Sequence, residues 1–114
     1  MIAVIFELVP KPGQADSYFE LAGKLRANVE AIDGFISIER FESLSEPGKF
    51  LSLSFWRDEA AIAAWRNTQS HRSAQSAGRA QIFRDYRLRI AGVIRDYGLH
   101  QRGAAPADSL SYHE

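Results

Sequence analysis

Between residues 65 and 79 the sequence reads WRNTQSHRSAQSAGR, which places Trp65, Asn67, His71 and Arg79 in one short segment. A histidine has an unperturbed pKa near working pH and can hold or remove a phenolic proton. An arginine aimed at the same oxygen stabilises the phenolate or carbanion-like species that results. A tryptophan offers a flat apolar wall to a planar substrate. An anion held in this way can pass an electron to O2 with no bound metal or flavin. Each residue also has a plainer role. Trp65 lies on the helix face of Ala61 and Ile62 and can serve as core, His71 follows a residue able to cap a helix, and Arg72 can be a solvated helix charge. Gly78 is costly inside a helix, so it marks either a close approach beside Arg79 or a helix end.

The composition limits what such a segment can belong to. The chain has 114 residues, enough for one compact domain and too few for two. Lys plus Arg and Asp plus Glu number 14 each, so there is no basic excess of the kind nucleic acid attracts. There is no cysteine, which removes disulfides, thiolate metal sites and thiol nucleophiles. His100 and His113 complete no metal triad with His71 at a recognisable spacing, so no metal site is expected. No apolar run reaches the length of a membrane span, and MIAVIFELVPKPG has no basic leader before its apolar stretch. A cytoplasmic protein that binds neither nucleic acid nor membrane is the expectation.

The elements that must position these residues follow from periodicity. Residues 2–9, IAVIFELV, read as a strand with Ile2, Val4, Phe6 and Leu8 on one face and Ala3, Ile5, Glu7 and Val9 on the other. Over 14–32 the period becomes helical, with Tyr18, Ala22, Leu25, Val29 and Ile32 in one stripe, and Asp33-Gly34 ends it. FISIERFESL (35–44) and FLSLSFWR (50–57) flank SEPGK as a hairpin. Leu51, Leu53 and Phe55 alternate with Phe50, Ser52, Ser54 and Trp56. Asp58 is placed to cap a second helix, EAAIAAWRN, and Ser70 a third over 71–83. Residues 86–97 form a last strand, with Tyr86, Leu88, Ile90 and Ile94 opposite Arg87, Arg89, Ala91, Val93 and Arg95. Arg84, Asp85 and Arg87 are expected to form an ion-pair cluster at its start. A domain thus spans 1–98, and residues 99–114 form an irregular tail long enough to reach a partner subunit.

The order β-α-β-β-α-α-β gives an α+β fold of the ferredoxin-like split βαβ kind: a four-stranded antiparallel sheet with helices on one face. The other face would carry Ile5, Val9, Val93 and either Phe50 or Phe55. Such a patch is best removed from water in a homodimer whose sheets pack face to face as a dimeric α+β barrel. Glu7 would then pair with Arg87 or Arg89, because an unpaired buried charge is costly.

Phe35 to Glu39, FWRDEAAIAAWRNTQSH and GRAQIFRDYRLRIAGVIRDYG, in this strand arrangement, resemble the antibiotic biosynthesis monooxygenase domain over about residues 1–98. The resemblance implies a homodimeric barrel and a cofactor-independent monooxygenase acting with O2 on a small aromatic, quinol or polyketide-type substrate. His71, Arg79 and Trp65 would be catalytic, with Phe6, Phe41, Phe55 and Asn67 around the substrate. Haem-degrading relatives imply a second reading, in which haem is the cofactor and His71 the iron ligand. That set also uses a first-strand Asn, and residues 1–10 contain none. A third reading is a dimeric ligand-binding domain without catalysis.

Overall fold

The computed structural model describes residues 1–113, and its strands and helices follow the expected order. β1 (Ile2–Pro10), α1 (Ala15–Glu30), β2 (Phe35–Glu42) and β3 (Phe50–Trp56) come first. α2 (Glu59–Arg66) and α3 (Gln69–Ala77) follow, then a π-helical turn at Gly78–Ile82 and β4 (Phe83–Gly92). The four strands form one antiparallel sheet in the order β2-β3-β1-β4, the ferredoxin-like arrangement.

The register assigns every strand residue to a face. Phe6 lies opposite Ser52 on one side and Leu88 on the other, and Ser52 lies opposite Arg40. Val4 likewise pairs with Ser54 and Ile90. These rungs face the helices. Ile5, Leu53, Glu39 and Arg89 form a rung on the opposite face, flanked by Phe41 with Leu51 and by Phe55 with Ala3. Phe55 is therefore the aromatic of the open face. Phe50 instead packs toward Leu8, Tyr18 and Ile82, its ring edge-on to Phe19.

Two buried clusters hold the helices on the sheet. Val29, Trp56, Ala61 and Ile62 make one; Leu8, Tyr18 and Ile82 make the other. Trp56 is 2% exposed, and its indole Nε1 donates to Ser54 Oγ at 2.9 Å, so its polar atom is satisfied inside the core. Asp58 caps α2 as expected, its carboxylate accepting from the Ala61 N–H at 2.9 Å. Arg57 bonds both Asp58 and Asp33, tying the chain after α1 to the start of α2.

Several local expectations are corrected. Thr68, not Ser70, caps α3: its hydroxyl accepts from the His71 N–H, and the helix begins two residues earlier than the pattern predicted. Gly78 is needed because the Phe83 ring lies against it. A Cβ there would sit 2.6 Å from a ring carbon. Arg84, Asp85 and Arg87 form no ion pair with one another among the described residues. Asp85 accepts from the Tyr86 N–H, and it is Arg89 that reaches Glu7, at 3.2 Å. The last strand starts at Phe83 and ends at Gly92, with the Val93 N–H donating to Met1 O just beyond it. The tail contains a short helix, α4 (Ala107–His113), where irregular chain was expected, with Pro106 placed just before its first residue. Glu114 of the expected tail lies outside the described residues.

Gly34 joins α1 to the sheet with φ +93°, and a Cβ there would lie 2.7 Å from Ala61 Cβ. Both the backbone conformation and the close approach of α2 require glycine. Gly34→Ala is expected to lower stability by about 2 kcal/mol or more in urea unfolding. An unchanged midpoint would contradict this account of the α1–β2 junction.

Candidate active site

The two core clusters do not meet, and the space between them is a cavity of about 410 Å³ between the sheet and helices α1 and α3. That volume suits a small organic ligand. Val4, Phe6 and Trp56 form part of its floor, Tyr18 and Leu21 come from α1, and Phe83 closes the end near the π-helical turn. Unfilled apolar volume forfeits packing energy, so a hollow in a domain this small is a cost that ligand contacts can offset.

Trp65, His71 and Arg79 all reach this cavity. Thr68 brings the first two together. Its hydroxyl donates to the Trp65 carbonyl at 2.8 Å and accepts from the His71 N–H at 3.2 Å, folding the α2–α3 corner tightly. The two rings lie 4.9 Å apart, inclined at 60°. Trp65 also packs against the Trp56 cluster, so its core role and its wall role coexist. Arg79 projects from the π-helical turn with its side chain exposed and without a carboxylate partner among the described residues.

His71 titrates below its ordinary value of 6.5. Burial is the main cause, and the positive charges of Arg72 and Arg66 add to it. Its imidazole is therefore neutral at pH 7, the form that accepts a proton.

Three of the expected substrate contacts lie elsewhere. Phe41 and Phe55 belong to the opposite face of the sheet, because both share rungs with residues that point away from the helices. Asn67, the C-cap of α2, turns back along its own corner. Its amide Nδ2 donates to Ala63 O at 2.8 Å, and its Oδ1 accepts from Arg72 at 2.9 Å. It steadies Arg72 and does not line the cavity. Phe6 does line it.

Sequence reading missed Tyr18, Arg40, Ser52 and Ser54. Tyr18 stood at the head of the helical stripe and read as core. The two serines alternate with Leu51 and Leu53 and so read as a solvent-facing pattern, yet they are buried and mark a polar spot under the helices. Arg40 occupies an inward position of β2, and its Nε donates to Tyr18 Oη at 3.1 Å.

The haem arrangement fits poorly. The first-strand residues facing the cavity are Val4 and Phe6, whereas Glu7 points to the open face and pairs with Arg89 and Lys49. No side-chain amide from β1 stands beside His71. Among the described residues, no group of three or more His, Asp or Glu side chains could hold a metal ion. No helix among them is long and apolar enough to cross a membrane.

The fold matches a family of small α+β proteins. The sequence pattern of the antibiotic biosynthesis monooxygenase family fits residues 1–77, and the chain belongs to that family. A relative from Pyricularia oryzae named "Jasmonate monooxygenase ABM" is 50% identical over 93 residues, which is 82% of this chain and 43% of that protein. The chain thus spans less than half of that relative's length. A Bacillus subtilis protein, YqjZ, is 30% identical over 93 residues, covering 82% of this chain and 79% of its own. The solved structure of Rv0793 from Mycobacterium tuberculosis superimposes with a TM-score of 0.76 at 18% identity, over 85% of this chain and 98% of that one, a likeness of fold.

A proton NMR titration of His71 is expected to give a midpoint below 6.5. The charged groups around the ring are Arg66 on α2, Arg72 on α3 and Arg79 on the π-helical turn, with Arg26, Arg40, Tyr18 and Tyr86 the other titratable cavity residues. Arg66→Gln removes one repulsive charge and leaves the burial, so it should move the midpoint part of the way up. Because the folded pKa is the lower one, the His71 contribution to stability is complete above about pH 6.5 and declines as pH falls toward the folded value. A midpoint at or above 6.5 would contradict the buried, cation-flanked placement.

Proposed function

We propose that the protein is a monooxygenase that needs no bound cofactor and oxidises a small aromatic, quinol or polyketide-type substrate in the Trp65–His71 cavity. The observation that carries this reading is one neutral, half-buried imidazole in ring contact with a tryptophan, inside an apolar hollow bordered by arginine. The substrate lies against Trp65 and Phe6. His71 accepts its acidic proton, and Arg79 stabilises the anion left behind. For a methylene flanked by phenolic rings, the anion gives one electron to O2, leaving a carbon radical and superoxide. Their recombination forms a hydroperoxide, and loss of water leaves a carbonyl. One oxygen atom enters the product, the other departs as water, and the substrate supplies every electron, so no reductant is consumed. Family membership and the relative named a jasmonate monooxygenase support an oxygenase, and jasmonate belongs in the substrate panel beside hydroquinones and anthrones.

A second copy of the chain covers the open face in this reading. That face presents Ile5, Leu51, Leu53 and Phe55, bordered by Glu7, Lys49 and Arg89. Both charge signs on one surface suit a two-fold contact with itself. The radius of gyration, 16.6 Å, exceeds the roughly 13 Å of a compact chain of this length. The chain after β4 also keeps Ile94 and Leu99 more than 80% exposed, as chain made to lie on a partner would.

Oxygen uptake by aerated, metal-free protein tests the chemistry. Turnover of at least one phenolic substrate is expected, falling about 100-fold in His71→Ala and by a similar factor in Arg79→Ala. Uptake unchanged in the double variant would overturn the residue roles, and inertness toward the whole panel with binding retained would favour a non-catalytic ligand-binding domain. Sedimentation is expected to show twice the 12.8 kDa chain mass, shifting to the single-chain value in Leu53→Lys. A lone protomer in the unsubstituted protein would remove the dimer.

A further inference from the structure

The cavity is apolar over most of its surface, yet its charged groups are of one sign. Arg26, Arg40, Arg66, Arg72 and Arg79 reach it, and among the described residues no aspartate or glutamate does. Arg26 is neutralised by Glu30 at 2.7 Å. Arg72 bonds only neutral amides, those of Asn67 and Gln75. Arg66 and Arg79 have no acidic partner among the described residues.

Arg40 is the informative member, because it is half-buried on the cavity floor and arginine seldom loses water without an acid to pair with. Its Nε donates to the buried Tyr18 hydroxyl, and the outer guanidinium nitrogens have no hydrogen-bond partner among the described residues. Tyr18 Oη is the acceptor in that bond, so its own hydrogen remains available to donate. Ser52 stands directly across from Arg40 in the β2–β3 pairing, is 7% exposed, and makes no hydrogen bond through its hydroxyl among the described residues. A guanidinium and two hydroxyls therefore gather at one place in an otherwise apolar hollow. Three more arginines give the cavity a positive potential throughout.

We infer that the cavity takes its ligand as a carboxylate, with an apolar body against Phe6 and Trp65 and a singly charged head at Arg40, Tyr18 and Ser52. This deepens the reading of the cavity as the substrate site and rests on it. One guanidinium with two neutral donors matches one negative charge, which selects a carboxylate over a phosphate dianion. The head is thereby held away from His71, leaving the imidazole free for the reacting end of the same molecule.

Binding, without turnover, tests this. Both tryptophans, Trp56 and Trp65, line the cavity, so intrinsic fluorescence reports its occupancy. The probes are 4-phenylbutyrate, its methyl ester and 3-phenylpropyl phosphate. The carboxylate is expected to bind at least tenfold more tightly than the ester, and more tightly than the phosphate. Arg40→Gln should abolish the preference for acid over ester, and Ser52→Ala and Tyr18→Phe should each reduce it several-fold. Equal binding of acid and ester, stronger binding of the phosphate, or a preference that survives Arg40→Gln would overturn the inference. The comparison of probes on the unsubstituted protein decides the matter even if a variant misfolds. A protein that turns over only neutral phenols and ignores 4-phenylbutyrate refutes the carboxylate site and leaves the oxygenase standing. One that binds the carboxylate but consumes no oxygen does the reverse.

Discussion

The pairing of β1 with its two neighbours governs what this molecule can bind. With Phe6 opposite Ser52 and Leu88, every second residue of three strands is directed beneath the helices, and Arg40 joins the same rung through β3. Side chains alternate strictly along a strand, so sliding the register by one residue would exchange the two faces completely. Glu7, Leu53 and Arg89 would then lie under α1 and α3, and the serines, Phe6 and Arg40 would face outward. Apolar burial fixes the choice: Leu8 and Trp56, at 1% and 2% exposed, can be enclosed in one register only.

Given that register, the hollow arises from how the remaining side chains divide. Trp56 with Ile62 and Val29 fills one end of the helix-facing layer, and Leu8 with Tyr18 and Ile82 fills the other. Between them stand Ser52 and Ser54, too small to close the gap from below. The α2–α3 corner closes it from above only at its margin, where Thr68 draws the Trp65 and His71 rings together. The same corner supplies Arg66 and Arg72, which together with burial keep His71 unprotonated. Packing, cavity and neutral imidazole are thus consequences of a few small or polar residues at positions where larger apolar ones would have made an ordinary core.

Much of this could be read from residue order. The alternating runs and helical stripe located all four strands and the first three helices, and the capping aspartate marked the start of α2. Glu7 was correctly expected to meet an arginine of the last strand. Faces were harder. Phe41 and Phe55 looked like cavity aromatics because residue type says nothing about which side of a two-faced apolar strand is covered. Asn67 looked like a ligand contact because its neighbours are. Only the backbone shows that a residue two positions past Trp65 ends the helix and bonds back to Ala63. Gly78 was legible as a close approach, but the approaching group is the chain's own Phe83 ring. Arg40 and Tyr18 escaped notice because they are distant in sequence and meet only when α1 lies across β2 and β3.

The central claim is that chemistry takes place on the helix-facing side of the sheet, beside Trp65 and His71. The most direct measurement is a crystal structure of the oxygen-free protein soaked with a reduced dihydroxynaphthalene. The account predicts its ring stacked in the cavity, with a hydroxyl within hydrogen-bonding reach of the His71 imidazole. A ring bound on the Phe41–Phe55 face, or a cavity closed by Trp65 and Phe83 with no room for it, would contradict the account.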